Sequence, residues 1–255
     1  MYAADVSSGK IRAMSLRLFH PHMATYLDGL VPARPPGMIA MEADAANADF
    51  PIIGPAAGYF CYLIARLTGA RSVFELGSGF GYSTAWFARA VRDNGGGVVY
   101  HTVWDEELSR RARGHLSALG LADLVTFHVG ESVATLEKLP GPFDLVFNDI
   151  DKTGYPASLP VIKARLRPGG VLIVDNMLWS GRVFDAADRS ANTKSIRTFT
   201  RLVTRDPDWT ASIVPIRDGL LIAQRNATAP AEGPRPPVRT EPAAGGRRSR
   251  SRQGC

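Results

Sequence analysis

Two short segments of this chain end in side chains suited to gripping a hard cation: Asp149-Ile150-Asp151-Lys152 and Asp175-Asn176. Two carboxylates and an amide oxygen favour Mg²⁺, or Mn²⁺ or Ca²⁺, over zinc. Lys152 adds an amine that can accept a proton or stabilise an anion. Taken singly, each acid reads equally well as a helix cap or loop residue. Asp151 reads better as a helix cap, or as an acid supporting the ligands, than as a ligand itself. The pair of strand ends, with Lys152 beside one of them, is harder to explain that way.

Each segment follows a short apolar run, Leu145-Val146-Phe147 or Val171-Leu172-Ile173-Val174. Such runs read as buried parallel strands. The stretch between the two acids has room for one crossover helix and the returning strand. Neighbouring strands would bring the two acids to within about 4.8 Å of each other in the sheet direction. They would then meet at the edge where open α/β sheets hold ligands.

The rest of the chain supplies the matching elements. Helical patterning over Ile11 to Leu67 is interrupted at Pro32, Pro35-Pro36 and Pro51 to Pro55. Strands are expected over Ser72–Leu76, Val98–Val103 and Val125–Val129, with helices over Tyr82–Val91 and Glu106–Leu116 and after Ser132. The fourth and fifth strands end at Asp149 and Asp175, with a helix over Ala157–Leu166 between them. An amphipathic helix at Ser195–Val203 precedes two strands, Ala211–Ile216 and Gly219–Gln224. Their close spacing requires an antiparallel hairpin. The expectation is an α/β fold: a doubly wound, mostly parallel seven-stranded sheet closed by a C-terminal hairpin.

Between the first strand and its helix lies Glu75-Leu76-Gly77-Ser78-Gly79-Phe80-Gly81-Tyr82-Ser83. Its glycines permit positive φ and close backbone approach to a ligand. A dinucleotide loop would need its third glycine at position 82, which is tyrosine. The acid at Glu75 suits a cationic ligand without phosphate, and S-adenosyl-L-methionine, with its ammonium and sulfonium, is one.

At 45% hydrophobic and 21% charged, 255 residues fit one large domain with a tail. The expected divisions are a helical region (1–50), an α/β domain (51–226) and a disordered Pro/Arg-rich tail (227–255). Of the net charge of +6, the tail's six arginines and two glutamates account for +4. No basic stripe remains on the rest, which weighs against nucleic acid. No apolar run is long enough for a membrane span, and the N-terminus lacks signal-peptide character. Cys61 and Cys255 make no disulfide framework, so a cytoplasmic location is expected.

Four segments resemble the cation-dependent small-molecule O-methyltransferases, the group of catechol and caffeoyl-CoA O-methyltransferases. They are Phe74 to Ser83, Phe143 to Tyr155, Gly169 to Gly181, and Ile216-Arg217-Asp218-Gly219-Leu220. The resemblance covers about Phe50 to Arg225 and implies the class I methyltransferase, Rossmann-like version of the fold. It implies that Asp149, Asp175 and Asn176 hold the metal and that Lys152 is catalytic. It also implies cofactor contacts from Ile53, Gly54, Glu75, Gly77, Gly79, Ser83, Gly130, Ser132 and Asp149, with Gly130-Glu131-Ser132 beside the adenine. A homodimer is an expectation of the same kind.

The sequence departs from the family pattern in three places. Val103 occupies the register of an acid that usually holds the ribose, and Asp105 is the candidate substitute. Asn148 and Ile150 replace an apolar residue and an alanine, and a polar Asn148 in a buried strand needs a partner. The resulting expectation is methyl transfer from S-adenosylmethionine to a small catechol-like acceptor. The alternatives are a nucleic-acid methyltransferase using the basic tail and a non-catalytic cofactor-binding regulator. Against the former, Asn148-Asp149-Ile150-Asp151 lacks the prolines of an amino-methylating motif.

Overall fold

The computed structural model describes residues 22–227. The expectations for 11–21 and for the tail from 228 onward lie outside the described residues. Helices α1 (Met23–Gly29), α2 (Pro36–Asn47) and α3 (Gly54–Leu67) come first. Two of the prolines read as breaks are helix starts: Pro36 and Pro55 occupy the first turns of α2 and α3. A missing N–H costs nothing in that position.

Strand β1 (Ser72–Leu76), helix α4 (Tyr82–Asp93), β2 (Val98–Val103), α5 (Glu106–Ala118) and β3 (Val125–Val129) form the first half of the α/β unit. Helix α6 (Ser132–Lys138), β4 (Phe143–Asn148), α7 (Tyr155–Arg165) and β5 (Leu166–Val174) follow. Helix α8 (Ala191–Arg205) leads into the hairpin β6 (Trp209–Val214) and β7 (Leu220–Arg225). The seven strands lie in the order β3-β2-β1-β4-β5-β7-β6. Pairing is parallel from β3 to β5, and β7 runs antiparallel to both β5 and β6. The order reverses direction between β1 and β4, which opens a crevice at their carboxyl ends.

Alternating strand residues feed two cores. Val73, Leu145, Phe147 and Ile173 pack with Cys61, Trp86 and Phe87 of α3 and α4. Phe74, Val146 and Leu172 pack with Tyr155, Ile162, Ile196 and Phe199 of α7 and α8. Each large core side chain contributes roughly 1.5–3 kcal/mol by leaving water, so the two layers hold the strand ends rigidly. None of the described helices is long and apolar enough to cross a membrane.

Several boundaries differ from expectation. Helix α7 starts at Tyr155, two residues early, because Asp151 caps a 3₁₀ turn over Lys152–Gly154 that leads into it. Helix α8 starts at Ala191, a turn early, where the Ser190 side chain accepts from the Thr193 N–H. The hairpin strands are displaced, leaving a wider turn that contains Arg217 at φ 52° and Gly219 at φ 84°.

Candidate active site

The carboxyl ends of β1, β4 and β5 open into one cavity of about 680 Å³, large enough for a ligand of cofactor size. Its floor is the loop after β1. Gly77 sits there at φ +84°, and a Cβ on it would lie 2.6 Å from the Asp149 carbonyl oxygen. Only glycine lets this loop lie against the end of β4. Ser83 stands in the first turn of α4 and also lines the cavity. Phe50, Phe80, Val103 and Trp104 form apolar walls, and Lys152, Asn176, Trp179 and Arg217 mark the other end.

Of the residues singled out in the sequence, the structure brings Ile53, Gly77, Gly79, Ser83, Ser132, Asp149, Lys152 and Asn176 to this cavity. Gly54 lines a smaller adjoining cavity of about 160 Å³, which shares Ile53 and Arg217. Glu75 and Asp175 are fully buried behind the wall. Gly130 is not a lining residue; its N–H bonds the Val103 carbonyl at 2.9 Å.

Asp105, the candidate substitute for the acid missing at Val103, is held locally. Its carboxylate caps α5, accepting from the Leu108 N–H at 2.8 Å, and it does not line the cavity. An aspartate just before a helix satisfies one of the free N–H groups there. Asn148 also turns away: its Nδ2 donates to the Ser158 hydroxyl at 3.0 Å in the core beneath α7. Trp179 lines the cavity, whereas Met177 is buried in the core.

The two acids are held differently. Asp149 Oδ1 accepts from Lys152 Nζ at 2.7 Å, and that amine also reaches the Ile150 carbonyl at 3.3 Å and lies 5.2 Å above the Tyr155 ring. Burial raises the Asp149 carboxyl above its usual range, although the Lys152 charge pulls it back. Asp175 Oδ1 accepts from the Asn176 N–H at 2.7 Å, and Oδ2 from Arg217 Nη1 at 2.7 Å. Burial, then the Asp149 charge, pushes the Asp175 carboxyl up to about 6. A half-buried and a fully buried carboxylate at one sheet edge call for nearby positive charge, which Lys152 and Arg217 supply.

Asn176 has φ 58°, a left-handed conformation that asparagine tolerates. Its Nδ2 donates to Asp218 Oδ2 at 3.0 Å, which fixes the amide so that Oδ1 is the end left for a ligand. Asp218 Oδ1 also accepts from the Ser180 N–H at 2.5 Å. The set of two carboxylates and one oriented amide oxygen therefore fits a hard divalent cation, provided that Asp175 Oδ2 exchanges its guanidinium partner.

In the sequence, Arg217 and Asp218 stand out only as part of the closing hairpin. The Asp-Gly pair at 218–219 is a turn signal that locates Asp218. Nothing in the sequence points Arg217 at Asp175.

Beneath the loop, Glu75 Oε2 accepts from the Thr84 hydroxyl at 2.5 Å, and Thr84 Oγ1 lies 3.0 Å from His101 Nδ1. Glu75 Oε1 and His101 Nε2 are buried without a hydrogen-bond partner among the described residues. Burial pushes the Glu75 carboxyl up to about 7, against the opposing effect of the Ser83, Thr84 and Ser78 hydroxyls. Burial, with the Arg113 charge, pushes His101 down to about 3. No histidine among the described residues lines the main cavity.

Comparison with known proteins agrees with this geometry. A family model described as O-methyltransferase matches residues 42–226. A catechol O-methyltransferase of Niastella koreensis is 28% identical over 209 residues, covering 78% of this chain and 94% of its own. The O-methyltransferase TomG of Streptomyces achromogenes, solved in complex with SAM, superposes with a TM-score of 0.72 at 28% identity. An O-methyltransferase of Bacillus cereus, solved with SAH, gives 0.73 at 28% identity. Each covers 80% of this chain and 96% of the solved one. With the family model spanning the sheet, the glycine loop and both acidic strand ends, this chain belongs to the O-methyltransferase family.

Proposed function

We propose that this protein transfers a methyl group from S-adenosylmethionine to a hydroxyl of a small catechol-like acceptor, using a divalent cation held by Asp149, Asp175 and Asn176. The observation that carries the proposal is the convergence, on one cavity, of the glycine loop after β1 with Asp149 and Lys152 after β4 and Asn176 after β5, Asp175 lying buried just behind. The SAM and SAH complexes of the similar structures support the donor, and the name of the Niastella relative supports the acceptor class.

When bound, the donor supplies an electrophilic methyl on a sulfonium, and a divalent cation supplies a Lewis acid that lowers a phenol pKa from about 10. The chain's own residues do the positioning. The loop at Gly77 and Gly79 lets the donor lie close to the backbone, with the buried Glu75 carboxyl beneath it. Phe50, Phe80, Val103 and Trp104 keep water from the donor, and Trp179 walls the acceptor end. Lys152 Nζ, anchored by Asp149, receives the hydroxyl proton or, as an ammonium, stabilises the developing phenolate. Fixing the oxygen and methyl in near-attack geometry supplies much of the remaining rate.

The test is methyl transfer from labelled S-adenosylmethionine to a panel of catechols and monophenols, with Mg²⁺ or with EDTA. Transfer confined to vicinal diols, lost in EDTA and restored by Mg²⁺, is expected. Lys152→Met should lower kcat by about 10²–10⁴-fold with SAH affinity retained. Full turnover in EDTA would remove the cation from the proposal, and activity on monophenols alone would remove the diol.

A further inference from the structure

We propose that Arg217 is a resident counter-ion of the cation site: a divalent cation binds only by displacing its guanidinium from Asp175, so this residue sets the cation affinity. The inference rests on the cation-dependent reading above and deepens it.

Three observations converge on Arg217. First, its backbone has φ 52° in the turn between β6 and β7, a conformation that favours glycine and strains a long side chain. The turn is closed by the Gly219 N–H donating to the Ile216 carbonyl at 2.9 Å. Such strain persists where something else holds the residue, and here the side chain makes a 2.7 Å ion pair with a carboxylate that is 0% exposed.

Second, both oxygens of Asp175 are engaged, Oδ1 by the Asn176 N–H and Oδ2 by Arg217. Lys152 holds Asp149, the other acid. Each oxygen keeps a second acceptor site, but a cation on Asp175 Oδ2 would sit within a few ångströms of the guanidinium and compete with it for space and charge. Arginine does not deprotonate in proteins, so it can yield that oxygen only by moving. A divalent charge arriving beside it provides the repulsion.

Third, the guanidinium has somewhere to go. Arg217 is about one-third exposed and borders both the main cavity and the smaller one of about 160 Å³. That second cavity is lined by Asp28, whose Oδ1 accepts from the Ala56 N–H at 2.9 Å. The displaced side chain keeps a carboxylate close by, while the cation replaces it in neutralising Asp175.

The experiment is Mn²⁺ binding by electron paramagnetic resonance on the full chain, for the wild type, Arg217→Gly and Asp175→Asn. Glycine suits the backbone conformation, and Arg217→Asn, which also tolerates it, serves if the glycine variant folds poorly. Removing the guanidinium is expected to tighten Mn²⁺ binding by about tenfold or more, and Asp175→Asn to abolish it. Equal Mn²⁺ affinity in the wild type and the Arg217 variants would overturn the counter-ion role while leaving the cation site in place. Absence of Mn²⁺ binding in every variant, with SAH binding by calorimetry intact, would overturn the cation reading itself and the counter-ion role with it.

Discussion

Strained and buried polar residues gather around the candidate active site. Among the described residues, four of the five non-glycine residues at positive φ are Asn176, Trp179, Ser180 and Arg217, all in the segments that follow β5 and close the hairpin. Such conformations cost on the order of 1–3 kcal/mol each, and hydrogen bonds to Asp218 and Asp175 hold Asn176, Ser180 and Arg217 in place. The buried pair Glu75 and His101 gives a prediction at the same scale. Glu75 titrates at about 7 in the fold against an ordinary 4.5, so the folded state retains a proton that the unfolded chain has released. Its contribution therefore falls as pH rises through that window and is flat above it. His101, lowered from 6.5 to about 3, does the reverse: its contribution is lost as pH falls through that window. The two slopes oppose each other between pH 4.5 and 6.5. Glu75→Gln should unmask the histidine slope and raise stability at alkaline pH by on the order of 1–3 kcal/mol, while weakening SAH binding. Urea melts across this pH range test it, and parallel profiles for the two proteins would contradict it.

At the level of secondary-structure elements, the site is a contact between two turns. The loop after β5 pairs with the β6–β7 turn: Met177 N–H donates to the Gly219 carbonyl at 3.0 Å, and Leu178 N–H to the Asp218 carbonyl at 2.8 Å. Gly219, at φ +84°, permits this, because a Cβ there would lie 2.5 Å from Leu178 Cγ. Gly219→Ala should therefore lower Tm by several degrees, about 1–3 kcal/mol. It should weaken Mn²⁺ binding more than SAH binding, since the turn holds Asn176 while the glycine loop belongs to β1. Equal losses for both ligands, measured by calorimetry, would mean that the turn does not act specifically on the cation end. Helix boundaries follow caps. Ser190 and Asp151 lengthen the elements they begin, and neither stands out in a reading based on apolar periodicity.

Across the whole molecule, charge and architecture are carried by different parts of the chain. The sheet order that makes the crevice is built from residues 72–225, while +4 of the +6 net charge belongs to the tail after Asn226. A stretch rich in proline, glycine and arginine offers almost no apolar side chains to bury, so the expectation is that the fold does not depend on it. Deleting 228–255 should leave turnover on a small acceptor within about twofold and Tm within a few degrees. A large loss of turnover, or methylation of RNA or DNA that depends on the tail, would favour a nucleic-acid substrate instead. SAH at a hundred times its Kd should stabilise the folded chain by about 2.7 kcal/mol, observed as a rise in Tm.

Reading the chain alone was enough to place the sheet, the succession of strands and helices, the glycine loop and the two acids. Each is written in local patterns: apolar runs of strand length, glycines at a strand end, and a spacing that admits one crossover. How each polar side chain is used became clear only from the packed molecule. Asp105 caps a helix and Asn148 turns into the core, because an N–H and a hydroxyl stand within hydrogen-bond reach there, whereas the cap at Asp151 is legible in the sequence itself. Packing also joins Arg217 to Asp175 across 42 positions of chain. No local pattern encodes that pair. It exists because an antiparallel β7 beside β5 brings the hairpin turn to the strand end, where a buried carboxylate needs a positive charge.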